Sequence, residues 1–299
     1  MNASVEDRSI SVSPERVSVT LKDGALHGWR WRNREAPQMI FVHATGFCAS
    51  TYKSVLQLVA RDFEVIAIDL RGHGRTTLPA DPDSLQSWET YADDLRGFLN
   101  AEPVASRVLA GHSLGGVVAC LAAKGRDDIS AIRIVEPAIV PVYLQPINRT
   151  ALWTRMMRRL PIARGAEKRR DGWRDRKEVS AQYANRATFR DWAPGVLDDY
   201  LADGLVSDPA GVRLSCAPLW EAATFRAQRH DFWGSVRQAS APMCVLASIQ
   251  RSSTVTPSSR FALRLFGAKV HATSQVGHLA PMQAPELVAA FLAGESRDE

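Results

Sequence analysis

Five short stretches of the chain are apolar almost without a break: 38–42, 63–68, 108–110, 131–135 and 243–247. Runs of this length without alternation predict strands buried on both faces. Residues 16–21 instead alternate apolar and polar, and so do 28–32. The turn Lys22-Asp23-Gly24 joins them, which predicts a half-buried antiparallel hairpin at a sheet edge. Helical patterning follows at 87–99, 117–123 and 285–292, and a last strand is expected at about 269–272. Strands that alternate with helices imply a mostly parallel sheet of about eight strands with right-handed crossovers. Ligand sites in such sheets lie beyond the carboxyl ends of the strands. His43, Asp69, Ser113 and Glu136 all follow such ends.

Between residues 140 and 240 the buried-strand runs stop, while arginine and tryptophan become frequent. This stretch reads as an inserted helical cap, as in Val196-Leu197-Asp198-Asp199-Tyr200-Leu201. The division is therefore a core of 1–139 plus 241–299 and a cap of 140–240. A chain of 299 residues, 45% hydrophobic, suits one large core with an insertion. Residues 1–15 are polar and expected to be loose. No apolar run reaches the roughly 18 residues of a membrane span, and the first residues lack the apolar region of a secretory signal. Cys48, Cys120, Cys216 and Cys244 lie far apart with no metal spacing. They read as reduced thiols of a cytoplasmic protein. A formal charge of +5 is too modest to imply nucleic acid.

The stretch that carries chemistry is Gly111-His112-Ser113-Leu114-Gly115. It follows an apolar strand and opens a helix of small residues. A serine on such a tight turn needs neighbours nearly without side chains, which the glycines supply. The helix N-terminus behind it favours a developing oxyanion.

Together with His43-Ala44-Thr45-Gly46-Phe47, Asp69-Leu70-Arg71-Gly72-His73-Gly74 and the late Gly277-His278, this elbow resembles the α/β-hydrolase family, outside the cap almost end to end. The resemblance implies Ser113 as nucleophile and His278 as its base. It also implies an oxyanion hole from the backbone of Leu114 and the His43 loop. Thr45 matches the family position, with Gly46 and Phe47 as alternatives. Many members carry the acid after the seventh strand, but residues 248–257 contain no carboxylate. Glu136, at the end of the sixth strand, then becomes the acid, as in haloalkane dehalogenases, with Asp69 as the alternative. Phe47 and His112 are candidates for substrate contact, and cap tryptophans for an apolar pocket. The cap arginines are candidates to attract a carboxylate-bearing substrate.

The resulting expectation is a serine hydrolase that cleaves a small to medium carboxylic ester or lactone through an acyl-enzyme. No cofactor and no metal are called for. The partner is the small-molecule substrate, with neither nucleic acid nor membrane, and a homodimer is left open. The alternatives are a C–C bond hydrolase or acyltransferase using the same triad, or a low-turnover ligand receptor on the same fold.

Overall fold

The computed structural model describes residues 13–295. The reading of residues 1–12 therefore lies outside the described residues. The chain opens with the hairpin β1 (Glu15–Leu21) and β2 (Gly24–Trp31), followed by β3 (Gln38–Val42). Helix α1 (Lys53–Val59), β4 (Glu64–Ile68) and α2 (Glu89–Ala101) come next. After them run β5 (Arg107–His112), α3 (Leu114–Ala123) and β6 (Ile129–Val135).

The insertion follows. It holds α4 (Ala151–Met157), α5 (Pro161–Glu167), β7 (Gly172–Trp173), α6 (Arg176–Ala184) and α7 (Ala187–Arg190). It continues with α8 (Val196–Gly204), β8 (Leu205–Asp208), β9 (Gly211–Leu214), α9 (Pro218–Arg226) and α10 (Phe232–Gln238). The chain then closes with β10 (Met243–Ser248), α11 (Pro257–Leu265), β11 (Lys269–Thr273), α12 (Ala280–Gln283) and α13 (Pro285–Ala293).

The main sheet has eight strands in the order β1-β2-β4-β3-β5-β6-β10-β11. Only the β1–β2 and β2–β4 pairings are antiparallel, so the expected hairpin sits at one edge. The alternation of side chains along a strand explains the two-layer cover. In β3, Ile40 and Val42 join a core with Leu95 and Phe98 of α2, Val117 of α3 and Leu263 of α11. Met39 and Phe41 point the other way, toward Leu56 of α1 and Val288 and Phe291 of α13. Apolar neighbours are needed on both faces, which is why this strand shows no alternation.

The insertion is not purely helical. β7, β9 and β8 form a three-stranded antiparallel sheet, which the short, arginine-rich sequence there did not suggest. Strands of two to four residues are too short for a period of two to stand out. Asp203 of α8 ties the insertion to the hairpin. Its buried carboxylate accepts hydrogen bonds from Arg16, Trp29 Nε1 (2.9 Å) and Arg75 Nε (2.9 Å). Burial acts to raise its pKa, yet these donors leave it below the ordinary carboxylate value.

All four cysteines are unpaired. Among the described residues no helix is long and apolar enough to cross a membrane.

Candidate active site

β3 and β5 are neighbours, and the chain leaves them in opposite directions across the sheet. Their carboxyl ends therefore open a crevice, and the candidate residues meet there. Ser113 stands between β5 and α3 with φ +54° and ψ −115°. That conformation is strained for a residue with a Cβ, at a cost on the order of 1–3 kcal/mol. The flanking glycines make it accessible. A Cβ on Gly115 would lie 2.0 Å from Val42 O, and one on Gly111 would lie 2.4 Å from the Gly115 backbone. Only bare backbone fits there, so the glycines of the motif have a steric cause.

His278 follows β11 on the loop before α12. Its Nε2 lies 3.2 Å from Ser113 Oγ, and its Nδ1 lies 3.3 Å from Glu136 Oε2. Ser113 and Glu136 are buried, and the His278 side chain is 23% exposed, which leaves one edge of the ring open to a ligand. Glu136 also has a left-handed backbone, with φ +45°. Its N–H donates to Leu246 O at 2.8 Å, and its carbonyl accepts from Thr254 Oγ1 at 3.1 Å. Its carboxylate is held on both oxygens. Oε1 accepts from Ser248 N (2.5 Å) and Ser253 Oγ (2.9 Å), and Oε2 accepts from Thr254 N (3.1 Å). The loop after β10 lacks a carboxylate, but it supplies the donors that hold one from β6. Sequence reasoning missed these donors, because small hydroxyl residues in a loop carry no signature of their own. Thr254 Oγ1 also stands 3.3 Å from His278 Nδ1.

The loop after β3 is fixed by three buried side chains. His43 Nε2 accepts from Leu70 N (2.9 Å), and His73 Nε2 accepts from Gly46 N (3.1 Å). Burial lowers both imidazole pKa values, that of His73 to about 4, so both rings are neutral near pH 7. Asp69 accepts from Ala49 N (2.7 Å) and Arg75 N (3.0 Å). The Phe47 N–H donates to Ala44 O. The Gly46 and Phe47 N–H groups are thus already used. Among the described residues, those of Thr45 and Leu114 have no partner within the protein.

His112 does not line the cavity above Ser113, contrary to its reading as a substrate contact. It is fully buried and engaged at both ring nitrogens. Nδ1 accepts from Tyr52 OH (2.8 Å), and Nε2 donates to the backbone oxygen of His278 (2.8 Å). Tyr52 OH in turn accepts from Ala44 N (3.0 Å). Burial, then the positive charge available to His278, pushes the His112 pKa well down, so the ring is a neutral strut between two loops. A residue next to Ser113 must point away from it on such a sharp turn.

A cavity of about 230 Å³ opens onto Ser113 and His278. Phe47 lines it with Tyr183, Phe189, Tyr200, Phe225 and Ile162. The insertion's tryptophans do not line it. Trp192 instead packs behind Phe47, with ring centroids 5.7 Å apart. Arg169, Arg186 and Glu221 also face the cavity. No three His, Cys, Asp or Glu side chains among the described residues are grouped to hold a metal ion.

Similarity to known proteins follows this geometry. The alpha/beta hydrolase family matches residues 39–291. The bifunctional esterase/perhydrolase DCH of Acinetobacter calcoaceticus is 32% identical over 130 residues, which is 42% of this chain and 46% of that protein. An uncharacterised protein of Mycobacterium tuberculosis is 35% identical over 103 residues, 33% of this chain and 29% of that one. The matched stretches thus span less than half the length of these curated relatives. The crystal structure of E-2-(acetamidomethylene)succinate hydrolase superposes with a TM-score of 0.76 at 18% identity, over 94% of this chain and 98% of that one. With the family match running from β3 to α13, over the strand ends that gather Ser113, Glu136 and His278, the chain belongs to the alpha/beta hydrolase family.

Proposed function

We propose that the protein is a serine hydrolase of small to medium carboxylic esters or lactones, with Ser113, His278 and Glu136 as its catalytic triad. The observation that carries this reading is the single line of contacts from Ser113 Oγ through the His278 ring to Glu136, at 3.2 Å and 3.3 Å. The relative named an esterase/perhydrolase supports ester chemistry.

In this reading the Ser113 hydroxyl donates to His278 Nε2, and the opposite Nδ1–H donates to Glu136. A serine hydroxyl is a weak nucleophile until a base takes its proton. His278 takes it as Oγ attacks the acyl carbon. Glu136 keeps the ring in the right tautomer and stabilises the imidazolium that forms. The tetrahedral oxyanion accepts from the N–H groups of Leu114 and Thr45. Their lack of protein partners supports that role, and each such donor contributes roughly 10²–10³ in rate. His278 then gives its proton to the departing alkoxide, which leaves an acyl-Ser113. A water donates a proton to Nε2, attacks the acyl carbon, and the acid leaves as Ser113 is regenerated. The insertion acts as a cap that walls the acyl site with Tyr183, Phe189 and Phe225.

The test is hydrolysis of a chain-length series of p-nitrophenyl esters by wild type and Ser113→Ala. Turnover by wild type, lost in the variant, is the expected result. An inactive wild type would remove the simple esterase reading, and undiminished Ser113→Ala activity would remove the nucleophile.

A further inference from the structure

The cavity above Ser113 carries charges that acyl transfer does not use. Arg169, Arg186 and Glu221 are on its wall. Glu221 is only 2% exposed; burial raises its carboxyl above the ordinary range, and Arg169 opposes that shift. Arg169 Nη1 stands 2.9 Å from Glu221 Oε2. That contact is close but misaligned for a hydrogen bond, so Oε2 keeps no hydrogen-bonding partner. As a unit the pair is neutral. Glu221 Oε1 also crowds Gly46 of the β3 loop, where a Cβ would come within 2.7 Å of it. An unpaired carboxylate there would repel a developing oxyanion, and Arg169 cancels that field.

Arg186 has no such counter-charge. Its guanidinium carbon lies 4.8 Å from the centroid of the Tyr183 ring. No carboxylate among the described residues comes within ion-pair distance of it. Stacking on an aromatic face fixes the guanidinium plane and leaves its N–H edge free for a planar anion. Tyr183 in turn stacks on Phe189, with centroids 4.7 Å apart, so the platform is itself held. Two guanidinium groups against one carboxylate leave the wall with one uncompensated positive charge. The aromatic and aliphatic side chains on the same wall lower the local dielectric and strengthen the attraction.

We propose that this cavity selects a substrate with one carboxylate group, held by Arg186 on the Tyr183 platform. Arg169, its charge balanced by Glu221, flanks it, so the wall offers one free positive charge and matches a single carboxylate. The inference deepens the serine-hydrolase reading by naming its substrate class, but the anion site itself needs no turnover.

Calorimetric titration tests it without catalysis. Ser113→Ala protein would be titrated at low salt with monomethyl adipate, dimethyl adipate and adipate. The monoanion is expected to bind about tenfold more tightly than the diester, the scale of a charge-assisted hydrogen bond. The difference should vanish in Ser113→Ala/Arg186→Gln and persist in part in Ser113→Ala/Arg186→Lys. Thermal melts of these variants check that each is folded. Equal binding of monoester and diester, or a preference that survives Arg186→Gln, would overturn the proposal. Tighter binding of adipate than of its monoester would overturn the single-carboxylate assignment. Anion preference without any Ser113-dependent hydrolysis would instead remove the acyl-transfer reading and leave this site standing.

Discussion

Asp69 and Glu136 each follow the last residue of a buried strand, β4 and β6, and each is a buried carboxylate. Both accept hydrogen bonds from loop backbone. Asp69 turns inward, to Ala49 N and Arg75 N, and Gly74 packs so close that a Cβ there would meet its carboxyl carbon at 2.1 Å. Glu136 turns toward the crevice and reaches His278. Position at a strand end is therefore insufficient to bring an acid to the histidine. What differs is the backbone. Glu136 takes the left-handed conformation at φ +45°, while the donors of the β10 loop set its carboxylate under the imidazole.

If that contrast is right, Glu136→Gln should be the most damaging change to either carboxylate. It keeps the shape but loses the charge that stabilises the imidazolium, and the amide can present N–H to Nδ1. A fall of about 10³–10⁴ in kcat is expected, with KM little changed. Steady-state kinetics on the best p-nitrophenyl ester checks it, and a loss below tenfold would break the comparison. Ser253→Ala removes one donor from Glu136 Oε1 and leaves Ser248 N in place. A decrease of about fivefold in kcat is expected, from about 1 kcal/mol of lost hydrogen bonding. Full activity would mean the loop does not position the carboxylate.

The smallest effect on kcat belongs to Asp69, whose contribution should appear in stability. Burial raises its pKa from 3.8 to about 7, against the two backbone hydrogen bonds. Because the folded pKa lies above the unfolded one, its contribution is most favourable below pH 3.8. It is lost as pH rises toward about 7. Urea unfolding of wild type should thus lose about 2 kcal/mol between pH 5 and pH 7.5 beyond the loss in Asp69→Asn. Parallel pH profiles would show that Asp69 is ionised without cost.

How much of this was legible in the sequence depends on what each residue must satisfy. The buried strands, the edge hairpin and the Ser113 elbow announce themselves because steric and burial demands act on adjacent positions. His278 followed from the resemblance and its place after the last strand. Glu136 stood out because residues 248–257 offer no carboxylate. Two helices gave readable signals that the strand pattern overshadowed. Val55, Leu56 and Val59 of α1 make a helical stripe. Thr256, whose side chain caps Ser259 N, and Pro257 mark the start of α11. The Arg186–Tyr183 platform and the Arg169–Glu221 pair gave none. Arg169 and Glu221 come from distant parts of the insertion that meet only in three dimensions, whereas Arg186 and Tyr183 are close in the chain, but an arginine facing a cavity has the same sequence signature as one facing solvent. His112 is not a substrate contact because the sharp turn sends it to the opposite side from Ser113, where Tyr52 and the His278 backbone hold its ring.

The most direct test of the central claim is covalent. Wild type, Ser113→Ala and Glu136→Gln would be treated with diisopropyl fluorophosphate and followed by intact mass and peptide mapping. The predicted result is one adduct per chain in wild type, located on Ser113 and missing from Ser113→Ala. Labelling of Glu136→Gln should be slower by about 10² or more, because its imidazole is a poorer base. No adduct on wild type, an adduct on another residue, or equal labelling of Glu136→Gln would contradict a triad of Ser113, His278 and Glu136.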